Sequence, residues 1–233
     1  MNIFQNIPLF FIGDNHGQYE QMFNLIQEYD LSNCYLIHLG DGGEGFLPMG
    51  RQIALFLKLN DLFRERNVFY KSIRGNHSDP FYFKGSIRIN LSHFELLEDY
   101  TVVSYKNNTI QFIGGAISID RTSRIEGQSY WKDEVVVYEP DLCKPVDVLV
   151  THTAPSWCFP QQINDMVRSW CYEDKSLLAD LKEERKILDK IAKKCKPKLH
   201  LYGHFHTHST EMIDGTLHKL LNINEIWELT TVS

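Results

Sequence analysis

Five short segments of the 233-residue chain carry side chains of types able to ligate metal ions. They are Gly13-Asp14-Asn15-His16, Gly40-Asp41, Gly75-Asn76-His77, Thr151-His152 and Gly203-His204-Phe205-His206, and each follows a short apolar run. Carboxylate, imidazole and amide-oxygen donors together suit Mn, Fe or Zn better than Ca, and the lack of a cysteine in the set disfavours a structural zinc site. The residue types therefore point to a catalytic metal centre. A lone histidine is more often packed or solvated than ligating, but five motifs at the ends of five apolar runs are a pattern that packing does not demand. Asp14 and His16, like His204 and His206, are two residues apart, so on extended backbone each pair faces one cavity. Glycine before Asp14, Asp41, Asn76 and His204 permits turns that bring the backbone close to an ion.

Side chains this far apart in sequence meet only if strands deliver them to one edge, and in α/β sheets ligand sites form beyond the carboxyl ends of strands. The apolar runs at 9–12, 34–39 and 68–73 alternate with helical patterns near 18–29 and 49–66, which is α/β order. Runs at 101–105 and 109–113 flank Asn107-Asn108, a hairpin turn that makes the sheet arrangement mixed. Residues 174–194 keep helical spacing, with Pro197 as a stop, and read as a helix covering a sheet rather than one docking a partner. Runs at 199–202, 207–213, 217–223 and 226–231 read as a terminal meander. No repeat or linker divides the chain, so 1–233 reads as one domain.

The ordered motifs, from Asp14 to His206, resemble those of the calcineurin-like metallophosphoesterases, with the 114–131 segment similar to bacterial and phage members. The resemblance implies an α/β fold of two mixed β-sheets flanked by α-helices, in four layers. It implies that Asp14, His16 and His206 hold one divalent metal, that Asn76, His152 and His204 hold a second, and that Asp41 bridges both. Mn is the first expectation, with Fe, Zn and Ni as alternatives. His77 matches the histidine that contacts the phosphoryl group or leaving group, and Glu44 the acidic residue that orients it. The implied reaction is hydrolysis of a phosphate ester by a metal-bridging hydroxide, with His77 protonating the departing alkoxide.

Departures bear on substrate. Glu44 is followed by Gly45, where phosphoprotein phosphatases usually carry a phosphate-gripping arginine, and Ser78 displaces an acidic residue often found after the Gly-Asn-His motif. Arg121 or Arg124 is a replacement clamp, since a guanidinium binds phosphate in a fork; the plainer alternative is an ion pair with Asp120 that fixes a loop. Asn76 and His77 join these arginines as candidate substrate contacts. In 153–172, Trp157, Phe159, Trp170 and Tyr172 either stack a nucleobase or form a small satellite core. A small, nucleotide-like phosphodiester ranks above a phosphomonoester or phosphoprotein. A catalytically silent metal-binding scaffold is the alternative of another class, and the complete ligand set with His77 argues against it.

Bulk properties set the outer limits. Hydrophobic residues make up 43% and charged residues 23%, as in ordinary globular proteins. A net charge of −6 argues against a face for extended duplex nucleic acid and offers no support for a second alternative, a nuclease cutting single-stranded DNA or RNA along a basic track. Five scattered cysteines without a C-x-x-C pair favour a reducing compartment, and no segment is long and apolar enough to span a bilayer, so the expected location is the cytoplasm. His38 reads as a core residue and His208 as a sheet-surface residue, while His93, His200 and His218 lack a supporting motif.

Overall fold

The computed structural model describes residues 2–230, so Thr231, at the end of the last apolar run, lies outside the described residues. In chain order the elements are β1 (Asn2–Ile3), β2 (Leu9–Ile12), α1 (Tyr19–Glu28), β3 (Cys34–His38), α2 (Met49–Glu65), β4 (Val68–Ser72), β5 (Phe94–Leu96), β6 (Thr101–Tyr105), β7 (Asn108–Ile113), β8 (Val148–Thr151), α3 (Asp165–Glu173), α4 (Leu177–Cys195), β9 (Leu199–Tyr202), β10 (Ser209–Ile213), β11 (Thr216–Leu220) and β12 (Ile226–Glu228). One sheet has the order β1-β6-β7-β8-β9-β11-β10 and the other β12-β2-β3-β4-β5. Both mix parallel and antiparallel pairs.

Strand alternation builds the layers. In β2 and β3, Leu9, Phe11, Tyr35 and Ile37 face the other sheet, where they meet Val103, Ile110, Phe112, Val148, Val150 and Leu201. The intervening Ile12, Cys34 and Leu36 face outward against Met22 and Ile26 of α1 and Phe56, Leu59 and Phe63 of α2. On the far side, Ile113 and Leu149 pack against Leu188, Ile191, Ala192 and Cys195 of α4. These contacts form the four layers expected, helices, sheet, sheet, helix. The end of α4 follows the usual helix-stop logic: Lys196 is left-handed (φ 47°) and donates its backbone N–H to Ala192, ahead of Pro197.

Three local expectations are corrected. The β6–β7 turn is Lys106-Asn107, one residue earlier than Asn107-Asn108, because Tyr105 pairs with Asn108 and Lys106 takes the left-handed position. The C-terminal strands are not a meander: β11 lies between β9 and β10, parallel to β9, and β12 crosses to the other sheet against β2. A meander needs a tight turn after β9, whereas 203–208 runs beyond the sheet edge carrying His204 and His206, and the chain re-enters at the outer edge. The segment 153–172 is not all loop, since Asn164 accepts from the Val167 N–H and starts α3.

The buried face of α4 includes one carboxyl group. Glu184 is almost fully buried, and this desolvation pushes its pKa up to about 8, opposed by hydrogen bonding from the Ile117 backbone. The folded value lies above the unfolded one of 4.5, so the stability tied to this proton is complete below about 4.5 and is lost as pH rises through about 8. We expect the melting temperature of the wild type to fall from mildly acid to mildly alkaline pH, and Glu184→Gln to flatten that fall. Parallel curves for the two proteins in pH-dependent thermal denaturation would remove this account.

Candidate metal centre

The five segments leave the carboxyl ends of β2, β3, β8 and β9 and the stretch just after β4, and converge at one end of the sandwich. The pairs Asp14/His16 and His204/His206 do not sit on extended backbone, as the two-residue spacing suggested. Their strands end at Ile12 and Tyr202, and His16, Asp41, His204 and His206 have φ of 48°, 62°, 71° and 50°. Left-handed backbone costs a non-glycine residue roughly 1–2 kcal/mol, so packing must hold these turns in place. Gly40 (φ 104°) has no room for a side chain, because a Cβ there would lie 2.5 Å from His152 Nδ1. A Cβ on Gly75 would lie 2.0 Å from Asp41 Oδ1.

Two groups of donor atoms result, each within 4.8 Å: Asp14, His16, Asp41 and His206 in one, and Asp41, His152 and His204 in the other. Asp41 belongs to both. His206 Nε2 is 3.4 Å from Asp14 Oδ2 and 2.9 Å from His16 Nε2. His152 Nε2 lies 3.2 Å from both Asp41 Oδ1 and Asn76 Oδ1, which adds Asn76 to the second group. His152 Nδ1 donates to the Leu39 carbonyl at 2.6 Å, which leaves the Nε2 lone pair aimed at two oxygen acceptors. Lone pairs converging on lone pairs need a cation between them, and the donor chemistry fits a divalent transition metal.

The charges respond accordingly. Burial opposes ionisation of Asp41, but His152, His77 and His16 outweigh it and hold the carboxyl well below its ordinary value. Burial also opposes ionisation of Asp14, and His206 and His152 outweigh it. For His152, burial opposes protonation but Asp41 raises the imidazole to about 9.

The surrounding residues fix the donors. The His77 N–H donates to Asp41 Oδ1 at 2.7 Å, and the His204 N–H to Asp14 Oδ2 at 3.0 Å. Asn76 Nδ2 donates to Ser118 Oγ at 3.2 Å, which fixes the amide flip that leaves Oδ1 facing His152. The Ser118 N–H donates in turn to Glu134 at 2.6 Å. Ser118 lies in the 114–121 segment read for its arginines, and Glu134 had no sequence signal.

Glu44 does not orient His77. It is fully buried and accepts from Ser78 Oγ at 2.7 Å, while Ser78 Oγ accepts from the Gly75 N–H, so Glu44 braces the turn that carries Asn76. Burial raises its pKa to about 7. Arg124 is what touches His77, with Nη1 and Nη2 at 3.0 and 2.8 Å from the two ring nitrogens and Nε bound to Asp120 at 2.7 Å. Burial, with Arg124 adding to it, lowers the His77 imidazole to about 4 against the pull of Asp41.

Arg121 is elsewhere. It is bound by Asp174, Asp180 and Ser176, and ties its loop to the start of α4. Position 45 cannot take a larger residue: Gly45 has φ 103°, and a Cβ would meet Asp79 at 2.5 Å and Trp131 at 2.9 Å. The aromatic loop after β8 is a satellite core in its first half, where Trp157 and Phe159 pack with Ala154, Cys158, Tyr202 and Leu220. The aromatic group beside the centre is instead Phe46, a partly exposed ring 5.9 Å from His77 that stacks on buried Trp131. His38 is a core residue, hydrogen-bonded to Ser72, and His208 is exposed.

Residues 7–208 match the family model described as calcineurin-like phosphoesterase, and the chain belongs to that family. It is therefore a phosphate ester hydrolase by class. No curated protein matched the sequence. Among solved structures, a putative 5'-nucleotidase from Staphylococcus aureus is similar at 14% identity and TM-score 0.52, over 94% of this chain and 49% of that one, so the chain spans about half its length. A predicted phosphoesterase from Streptococcus pneumoniae (12% identity, TM-score 0.37) is matched over 94% of this chain and 74% of that one. An archaeal phosphodiesterase (11% identity, TM-score 0.39) is matched over 95% of this chain and 98% of that one. Among the described residues no helix is long and apolar enough to cross a membrane.

The two arginines separate experimentally. Arg121→Ala should lower stability by about 1 kcal/mol, as expected for a partly exposed ion-pair network, and leave KM for an aryl phosphodiester unchanged. Arg124→Ala should raise KM. A raised KM in the Arg121 variant, measured beside its melting curve, would reverse the assignment.

Proposed function

We propose that the chain is a two-metal phosphoesterase in which Asp14, His16 and His206 hold one ion, Asn76, His152 and His204 hold the other, and Asp41 bridges them. The observation that carries this reading is the membership of Asp41 in both donor groups. When bound, the two cations supply an acidified water and positive charge for the phosphoryl oxygens. Mn is the first choice of metal.

The protein's own groups do the rest. Arg124 offers its guanidinium fork to the phosphoryl oxygens beside His77. His77, carried on a turn whose N–H is bound to Asp41, is placed to meet the leaving group. Proton donation to that oxygen is worth about 10²–10⁴-fold in rate. Burial, Arg124 and His16 disfavour a charge on this ring, against the pull of Asp41. An anionic substrate that draws Arg124 away removes one of these causes and sets negative charge beside the ring, so that the ring takes up the proton it donates. Asp120 keeps Arg124 near the ring in the meantime.

A nucleotide-like phosphodiester ranks above a phosphomonoester. The support is chemical: Gly45 excludes the arginine that phosphoprotein phosphatases use, and the Phe46 ring beside His77 offers a face on which a base stacks.

Metal analysis of the purified protein, followed by assays on bis-p-nitrophenyl phosphate, p-nitrophenyl phosphate, cyclic nucleotides and a phosphopeptide under Mn, tests the proposal. Turnover should be highest on the diesters. Bound metal with no turnover on any of the four would favour a silent scaffold. His77→Ala should keep its metal while kcat drops about 10²–10⁴-fold, and undiminished turnover would rule out His77 as the donor. Asp41→Asn should weaken both ions together; loss of only one would contradict the bridge.

A further inference from the structure

His200 on β9 and His218 on β11 are direct register partners in the seven-stranded sheet. Leu199 and Leu201, either side of His200, belong to the core between the sheets, so alternation turns His200 to the outer face. There Cys158, from the loop after β8, comes down on the pair. Its Sγ is 3.0 Å from His218 Nδ1, and His200 Nδ1 is 3.2 Å from the same atom. All three residues are buried, with exposures of 0%, 0% and 3% for Cys158, His200 and His218. Their donor atoms lie within 4.8 Å of one another, and none of the three belongs to the phosphoesterase centre.

Hydrogen bonding accounts poorly for this convergence. Thr151 Oγ donates to the Thr153 carbonyl, so it accepts from His200 Nε2–H at 2.7 Å, and the neutral His200 ring has its lone pair on Nδ1. That lone pair and the Cys158 sulfur both approach the single Nδ1 of His218, which has one proton to give or one lone pair to receive. Sulfur and nitrogen are closer there than their van der Waals radii allow without a bond or a shared proton. A Zn–N length of about 2.0–2.1 Å and a Zn–S length of about 2.3 Å at tetrahedral angles put two nitrogens roughly 3.3–3.4 Å apart and nitrogen and sulfur roughly 3.5–3.6 Å apart, so an ion needs the two rings to part only slightly from 3.2 Å and the sulfur to withdraw by about half an ångström from 3.0 Å.

The loop is also held ready. Arg185 of α4 donates to the carbonyls of Pro155, Cys158 and Pro160, and Glu211, the register partner of His218, accepts from the Phe159 N–H. These bonds fix the backbone on both sides of the sulfur, as outer groups do around metal ligands. Arg185 and Glu211 also bring one charge of each sign to the cluster, so a single excess charge on a thiolate–imidazole–metal unit would not be isolated.

We propose that Cys158, His200 and His218 form a separate site for a thiophilic divalent cation of the Zn2+ class, which clips the loop after β8 onto β9 and β11. Binding releases the Cys158 thiol proton to solvent and forms a sulfur–metal bond, with both rings neutral. The clip is joined to the phosphoesterase centre through Thr151, which holds His200 and directly precedes His152.

Cobalt separates this site from the phosphoesterase centre, because sulfur is absent from the latter's donor set. Protein stripped of metal and reloaded with Co2+ should show a thiolate-to-cobalt charge-transfer band in the near ultraviolet, displaced on adding Zn2+. Cys158→Ser and His218→Asn should each lose the band and one equivalent of bound metal by mass spectrometry. In Asp41→Asn the band should persist, so failure of the two-metal reading is distinguishable from failure of this one. Absence of the band from wild-type protein, or its survival in Cys158→Ser, would overturn the proposal and leave a buried hydrogen-bonded triad.

Discussion

The Asp41 carboxylate is the constraint around which this end of the molecule is organised. It is buried to within 1% of full occlusion, and a buried carboxylate is stable only among compensating charges and donors. Those come from three directions: His152, the backbone N–H of His77, and the imidazoles of His16 and His77. The segment from 75 to 77 can approach so closely because Gly75 has no side chain to strike Asp41 Oδ1. Each neighbour is a donor or cation in its own right, so the arrangement that stabilises one carboxylate also assembles two groups of candidate metal donors.

The sandwich makes that arrangement repeatable. β2, β3 and β4 are parallel neighbours in one sheet, and β8 and β9 in the other, so five chain exits emerge in the same sense at one end. A core shared by both sheets locks the two sets of exits in register. The rigidity of that core sustains four left-handed non-glycine residues at the ligand turns, a strain that a flexible loop would relax. Beyond the sheets, the stretch between β7 and β8 supplies Ser118 and Glu134, which set the face that Asn76 presents.

The proposed substrate contacts come from different parts. Gly45, Trp131 and Phe46 form one packed wall, in which the glycine is required by the closeness of Asp79 and Trp131, and Arg124 with Asp120 forms the other. Arg121 illustrates how little a residue type reveals alone, since three partners near the start of α4 make it part of the scaffold.

The α/β order and the seven metal-binding candidates were legible in the chain, while the four layers were an expectation carried by the resemblance of its motifs. Apolar periodicity is a local property, and Gly-Asp, Gly-Asn-His and Gly-His-Phe-His are punctuation a strand end carries whatever its partners. The sequence by itself did not determine why paired ligands meet, since left-handed turns rather than extended alternation bring them together, nor the strand order after β9, which depends on where the 203–208 loop must travel. Glu44 was expected beside His77 and Arg124 stands there instead, for the same reason: which group reaches His77 depends on distances across 33 and 47 positions of chain, and only packing sets those. His200 and His218 carried no motif because their partnership is a register between parallel strands, and Cys158 joins them from a third segment. Tertiary structure decided these points because side chains meet through backbone paths that no local pattern encodes.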